Sequence, residues 1–189
     1  RPAQLRDQDG AVGLNPFFTV GHSTRSVEEL AGLLGEAGAN TIADVRTIPR
    51  SRTNPQFNLD ALPDALAERQ IAYRHIAALG GMRGRGKGGD PSPNTFWDNA
   101  SFRNYADYAL TEPFRAGLAD LIALSERHVC AVMCAEAVWW RCHRRIVADY
   151  LMAAGRAVFH ILGPGKIAPA TMTAAARPAG GGWLIYPLA

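Results

Sequence analysis

Short apolar runs of strand length alternate along this chain with longer stretches whose apolar residues recur every three or four positions. Phe17 to Val20 is the first such run. Val27 to Ala37 follows, with Leu30, Leu33 and Leu34 on one helical stripe. Ser26 and Glu29 stand three apart at its start, the spacing of a capping box, and Gly38 marks its end. Thr41 to Val45 predicts a second strand, Leu59 to Arg69 a second helix and Tyr73 to Ile76 a third strand. Phe102 to Glu126 reads as one long helix or as two broken at Pro113, and Val129 to Cys134 as a buried strand. A helix over Ile146 to Ala154, stopped before Gly155, and a strand over Ala157 to Leu162 complete the regular part. Beyond Gly163 the chain is rich in Pro, Gly and Ala, and Trp183 to Tyr186 is expected to add an edge strand.

Alternating strands and helices predict an α/β fold: a single domain with a mostly parallel sheet flanked by helices, Rossmann-like and three-layered. The domain is expected over residues 16–189, with a Pro/Gly/Ala-rich C-terminal tail from 163. Residues 1–15, with Gly10, Gly13 and little periodicity, are expected to form a flexible N-terminal arm. At 189 residues, 48% of them hydrophobic, the chain is long enough to bury one sizeable core. No apolar run reaches the 18 or so residues of a membrane span, and the polar start lacks the apolar stretch of a signal peptide, which predicts a cytoplasmic protein without a membrane partner. Three cysteines are too few, and odd in number, for a disulfide scaffold. The formal net charge of +3 does not by itself indicate nucleic acid, but the 20 cations are 18 Arg and only 2 Lys. Arginine is the better fork for phosphate and carboxylate oxygens, although a general arginine bias in composition gives the same count.

In a parallel sheet, ligands bind beyond the carboxyl ends of the strands, so the residues just after each strand matter most. The first strand is followed by Gly21-His22-Ser23-Thr24, the second by Asp44-Val45-Arg46 and then Arg50 and Arg52. The fourth is followed by Cys134-Ala135-Glu136 and, further on, Cys142-His143-Arg144-Arg145. Each element also has a plain structural explanation: a capped strand-to-helix turn for residues 21–24, an ion pair with Arg46 for Asp44. Arg46, Arg50 and Arg52 within seven residues repel one another unless solvated or facing an anion, which points to an anion-binding loop. The Gly/Arg run with Arg83 and Arg85 reads either as a solvated loop or as one that closes over a phosphate-bearing ligand or lies along a nucleic-acid backbone. Phe96, Trp97, Phe102, Tyr105 and Tyr108 read as core packing or as a stacking surface.

The segment from Cys134 to Arg144 carries the most specific chemistry. If a helix begins near Cys142, the free amides of its first turn and the charges of Arg141, Arg144 and Arg145 favour a thiolate there. Cys134, at a strand end, is the rival nucleophile, with Glu136 or His22 for proton transfer and Asp44 to orient a base or an arginine. Six residues separate Cys134 from Arg141, so the spacing is not the Cys-x5-Arg phosphatase cradle. Cys134, Cys142 and His143 are also acceptable zinc ligands, with Glu136 or water as a fourth, though on a helix Cys142 and His143 would diverge by about 100°. Cys130 reads as a small buried hydrophobe.

As an ordered set, these motifs resemble the bacterial family catalogued as domain of unknown function 488. The residues that carry the resemblance are Gly21-His22-Ser23-Thr24, Asp44-Val45-Arg46 with Pro49-Arg50-Ser51, Leu79-Gly80-Gly81, Phe102-Arg103-Asn104-Tyr105-Ala106, Cys134-Ala135-Glu136, Cys142-His143-Arg144 and Val158-Phe159-His160-Ile161. They span roughly residues 17–162. The family pattern carries a proline between Cys-Ala-Glu and Cys-His-Arg, where this chain has Val138-Trp139-Trp140. The resemblance implies the fold and the site map, and no reaction.

Taken together, the residues predict an enzyme acting on a phosphate-bearing substrate, a nucleotide or nucleic acid. Cys134 or Cys142 would be its nucleophile, Glu136, His22 and Asp44 would assist, and Ser23, Thr24, Arg46, Arg50, Arg52, Arg83, Arg85, His143 and Arg144 would bind the anion. Two alternatives stay open: a nucleic-acid-binding accessory protein without turnover, and a metal-binding hydrolase using Cys134, Cys142 and His143. The sequence assigns no cofactor.

Overall fold

A computed structural model describes residues 14–189. The sheet has six strands: β1 (Phe17–Gly21), β2 (Thr41–Asp44), β3 (Ala72–His75), β4 (Cys130–Cys134), β5 (Val158–Gly163) and β6 (Lys166–Pro169). Their order is β3-β2-β4-β1-β5-β6, all parallel except β6, which runs antiparallel to β5. This is the expected α/β architecture, with five helices covering both faces: α1 (Val27–Ala37), α2 (Leu62–Ala67), α3 (Ala100–Tyr108), α4 (Glu112–Ser125) and α5 (Arg144–Ala153).

The pleat sends alternate residues to opposite faces, and both faces are apolar. Phe18 and Val20 of β1, Ile42 of β2 and Met133 of β4 meet Leu30, Leu33 and Leu34 of α1 and Leu62 and Leu66 of α2. Phe17, Ala43, Cys130 and Val132 point the other way, onto Tyr105 of α3, Phe114 and Leu121 of α4 and Ile146 of α5. Each fully buried leucine or phenylalanine contributes about 1.5–3 kcal/mol relative to its exposed state. α1 begins as its sequence predicts: the Glu29 amide donates to Ser26 Oγ at 3.0 Å and the Ser26 amide donates to Glu29 Oε2 at 2.8 Å. Gly38 ends it in the left-handed conformation.

Local expectations are corrected at the tail and at the last helix, and one alternative is decided. The apolar stretch 102–126 is two helices, the second of its two readings, because Pro113 sits in the first turn of α4, where a missing amide proton costs nothing. The strand predicted at the tail does not edge the main sheet; Leu184–Ile185 (β8) pairs with Arg177–Pro178 (β7) in a separate ribbon. The edge of the main sheet is β6, reached through the Pro164-Gly165 turn. The last helix starts at Arg144, because Cys142 is extended (φ −125°, ψ 147°) and leaves a 3-10 turn at Trp139–Arg141. Of the predicted arm, residues 1–13 lie outside the described residues. Asn15 is docked, donating from Nδ2 to the Ser125 carbonyl at 2.9 Å. Among the described residues no helix is long and apolar enough to cross a membrane.

Candidate functional site

Register alone brings the reactive segments together. Gly21 of β1 lies opposite Cys134 of β4, and Asp44 of β2 lies opposite Met133, so three central strands end at the same level. The chain leaves β1 towards β2 on one side and β4 towards β5 on the other, making this edge a topological switch point. Beyond β1 the chain stays on β4: the His22 amide donates to the Cys134 carbonyl at 2.9 Å and the Ser23 amide to the Ala135 carbonyl at 3.0 Å. Only glycine fits at position 21, since a Cβ there would lie 1.9 Å from the Glu136 carbonyl oxygen.

A cavity of about 350 Å³ opens over these strand ends. Cys134 and Cys142 with His143 line one side, Phe102 and Tyr105 of α3 another, and Arg50, Arg141 and Glu136 stand at its exposed rim. Arg144 explains how Cys142 is held. Its guanidinium is only 1% exposed, and among the described residues no carboxylate forms an ion pair with it. Instead its Nε and its peptide nitrogen approach Cys142 Sγ at 3.3 and 3.5 Å, and its Nη2 donates to the Glu136 carbonyl. The neighbouring Cys134, with His143 and Arg144, holds the Cys142 thiol well below the usual range against the opposing effect of burial. Cys142 beside it, with burial, pushes the Cys134 thiol up. Of the two, Cys142, which faces His143 and two N–H groups of Arg144, is the thiol favoured as the thiolate.

His143 faces Cys142 with Nδ1 at 3.6 Å, while its Nε2 lies 2.8 Å from the Val45 carbonyl. A carbonyl only accepts, so Nε2 carries a proton. The ring packs edge-on against Tyr105 at 4.9 Å, and a Cβ at Gly81 would lie 2.4 Å from its Nδ1. Cys134, Cys142 and His143 place one donor atom each within 4.8 Å of one another, a set able to hold a metal ion. On a helix Cys142 and His143 would diverge; in the extended turn before α5 they converge.

The other predicted residues divide sharply. Asp44 is fully buried and its carboxylate is consumed by Arg46 Nη2 at 2.6 Å, Arg46 Nε at 2.9 Å and the Tyr73 hydroxyl at 2.5 Å. Arg46 also donates to the Phe57 carbonyl at 2.7 Å and faces His22 Nε2 at 3.3 Å. His22 donates from Nδ1 to the Ser23 carbonyl, and burial lowers its pKa, so it is neutral with its lone-pair nitrogen already occupied. Asp44, Arg46 and His22 therefore form a buried brace at the floor of the cavity, which His22 and Arg46 line and Asp44 does not. Ser23, Thr24, Arg52 and Arg85 are not among the residues that line it. Arg83 is turned away, stacked 3.7 Å from the Tyr108 ring and donating to the Gly80 and Ala77 carbonyls. Cys130 is buried, its thiol pushed up to about 11 by desolvation. Sequence reasoning did not find Thr47, Ile48, Met82 and Ser101, which also line the cavity. Thr47 had a faint signal: a Cβ at Gly80 would lie 2.6 Å from the Thr47 Cα, and the pair Gly80-Gly81 marks where the chain passes close to the site.

A family model described as domain of unknown function DUF488 matches residues 26–151, more than half of the chain. The matched span runs from the cap of α1 into α5 and includes Asp44, Arg46, Cys134, Glu136, Cys142, His143 and Arg144. No curated protein and no solved structure matches the chain.

Proposed function

We propose, for a chain that belongs to the DUF488 family, that the strand-end cavity is the active site of an enzyme acting on a small phosphate-bearing substrate, with Cys142 as its nucleophile. The observation that supports this reading is the buried Arg144, which has no carboxylate partner among the described residues and directs two N–H groups at Cys142 Sγ. A buried guanidinium without an anion is costly, and a cysteine thiolate is the anion within reach. Arg50 and Arg141 at the rim make no carboxylate ion pair among the described residues, which leaves them free to fork phosphate oxygens. A volume of about 350 Å³ lies at the small end of ligand cavities and suits a nucleotide-sized molecule rather than a duplex.

In the reaction, Cys142 Sγ bonds to the electrophilic centre as the bond to the leaving oxygen breaks with its electron pair. Glu136, the carboxylate at the rim, relays a proton from solvent to that oxygen. Water then attacks the adduct, passes its proton through Glu136 to solvent and releases Cys142 as thiolate. The test is labelling with iodoacetamide at neutral pH, read by peptide mass spectrometry. Cys142 should be alkylated well ahead of Cys134 and Cys130, and a nucleoside monophosphate should slow the reaction. That protection should vanish in the Arg50→Ala/Arg141→Ala double variant and survive in Arg52→Ala/Arg85→Ala, whose side chains do not line the cavity. Equal labelling of all three cysteines, or earlier labelling of Cys134, overturns the assignment.

A further inference from the structure

The structure places two sulfurs and an imidazole nitrogen in a cluster tighter than a single nucleophile requires. We propose that Cys134 Sγ, Cys142 Sγ and His143 Nδ1 form a zinc site whose fourth position opens into the cavity, and that zinc bound there blocks the nucleophile. The binding stands on the geometry alone; the inhibition rests on the reading of Cys142 given above.

The three donor atoms lie within 4.8 Å of one another, and Cys142 Sγ is 3.6 Å from His143 Nδ1. Tetrahedral zinc, with bonds of about 2.3 Å to sulfur and 2.0 Å to nitrogen, needs donors roughly 3.5–3.8 Å apart. Zinc binding therefore draws the donors together by at most about 1 Å. Loss of the Nδ1 proton, which zinc displaces, leaves the imidazole in the required tautomer. Its Nε2 proton is held by the Val45 carbonyl at 2.8 Å, so in the neutral ring Nδ1 presents its lone pair on the Cys142 side. A backbone carbonyl behind a ligating histidine is the usual outer support of a zinc ligand. Gly81 leaves room at that nitrogen, since any larger residue would place its Cβ 2.4 Å from Nδ1. Two N–H groups of Arg144 point at Cys142 Sγ, the outer contacts that steady a metal thiolate.

The donor set also selects the ion. Two sulfurs and an imidazole, with no carboxylate in the cluster, suit zinc and disfavour magnesium and calcium. Two thiolates and a neutral imidazole around Zn²⁺ sum to zero charge, which suits a site where Cys142 is 4% exposed. The open position faces Phe102, Tyr105 and the rim, so water or an anionic ligand completes the coordination.

The experiment titrates reduced, chelator-stripped full-chain protein with Co²⁺ as a spectroscopic stand-in and then displaces it with Zn²⁺. One equivalent should give a thiolate-to-cobalt charge-transfer band and intense tetrahedral d–d bands, both removed by one equivalent of Zn²⁺. Cys134→Ala should abolish the charge-transfer signature of the two-sulfur site, and His143→Gln should weaken Co²⁺ binding at least tenfold. On the unmodified protein, zinc should slow iodoacetamide labelling of Cys142 at least tenfold. Absence of a stoichiometric charge-transfer band, with Cys142 still rapidly alkylated, overturns the metal site and leaves the nucleophile standing. A normal band from protein whose metal-free Cys142 is no more reactive than Cys130 supports the metal site, and overturns both the nucleophile and the inhibition.

Discussion

Protonation of His160 should cost this protein a defined amount of stability in a defined pH window. His160 lies within β5, 2% exposed, with its Nδ1 2.7 Å from Thr19 Oγ1 and its ring stacked on Trp139 at 4.3 Å and an interplanar angle of 4°. No carboxylate pairs with it among the described residues, and burial lowers its pKa from 6.5 to about 4, with the charge of Arg144 adding to the effect. The unfolded chain takes up this proton near pH 6.5 and the folded chain only near pH 4, so the unfolded state binds more protons between those values. The contribution is therefore fully present above about pH 6.5 and is lost as the pH falls towards 4. A shift from 6.5 to about 4 corresponds to about 3 kcal/mol at 1.36 kcal/mol per unit. Urea unfolding of the wild type and of His160→Gln at several pH values from 7.5 to 4.5 tests this. The glutamine variant removes the titration but keeps a polar group for Thr19. His22, also lowered by burial, titrates in both proteins and cancels in the difference. The stability advantage of wild type over variant should shrink by about 2 kcal/mol across that range. A pH-independent difference would refute the reasoning.

Two further outcomes follow from the supports beneath the site. Gly21→Ala should destabilise the fold by about 1–3 kcal/mol, read as a lowered Tm, because the added Cβ meets the Glu136 backbone and not a side chain that could swing away. Asp44→Asn should cost about 3–5 kcal/mol in urea unfolding, since it leaves the guanidinium of Arg46 buried beside a neutral amide; a loss under 1 kcal/mol would show that Arg46 finds another partner.

The site joins a rigid floor to a polar rim. The floor is backbone and buried charge: β1 pressed onto the segment after β4 through Gly21, and Asp44 and Arg46 locked between Tyr73, Phe57 and His22. The thiols sit above it where β4 ends and α5 begins. Such a frame positions the sulfurs and His143 at the strand ends, as a nucleophile or a metal site requires.

What the sequence determined by itself was local or periodic. The capping box of Ser26 and Glu29, the Leu30-Leu33-Leu34 stripe and the buried strand ending at Cys134 depend on neighbours within a few residues, and alternation of such elements leads to a parallel sheet with its ligands at the strand ends. From this the convergence of His22, Asp44, Cys134 and Cys142 was readable before any coordinates. The sheet edge at β6 and the β7–β8 ribbon were not, because Lys166–Pro169, joined to β5 by the Pro164-Gly165 turn, and the two-residue strands Arg177–Pro178 and Leu184–Ile185 are too short to show a periodicity. Nor did the sequence sort its arginines. Arg46 and Arg144 are buried, Arg46 at the cavity floor, Arg83 lies on Tyr108, and Arg50 and Arg141 stand at the cavity rim. The local pairing of Arg46 with Asp44 was readable, but the other contacts come from tertiary packing, such as the Phe57 carbonyl for Arg46 or the Tyr108 ring for Arg83. Helical geometry would have separated Cys142 from His143; the turn at Trp139–Arg141, with Trp139 stacked on His160 from β5, delays α5 to Arg144 and lets the two converge. A charge or a ligand atom acquires its role from what faces it across the fold, and that is decided by packing.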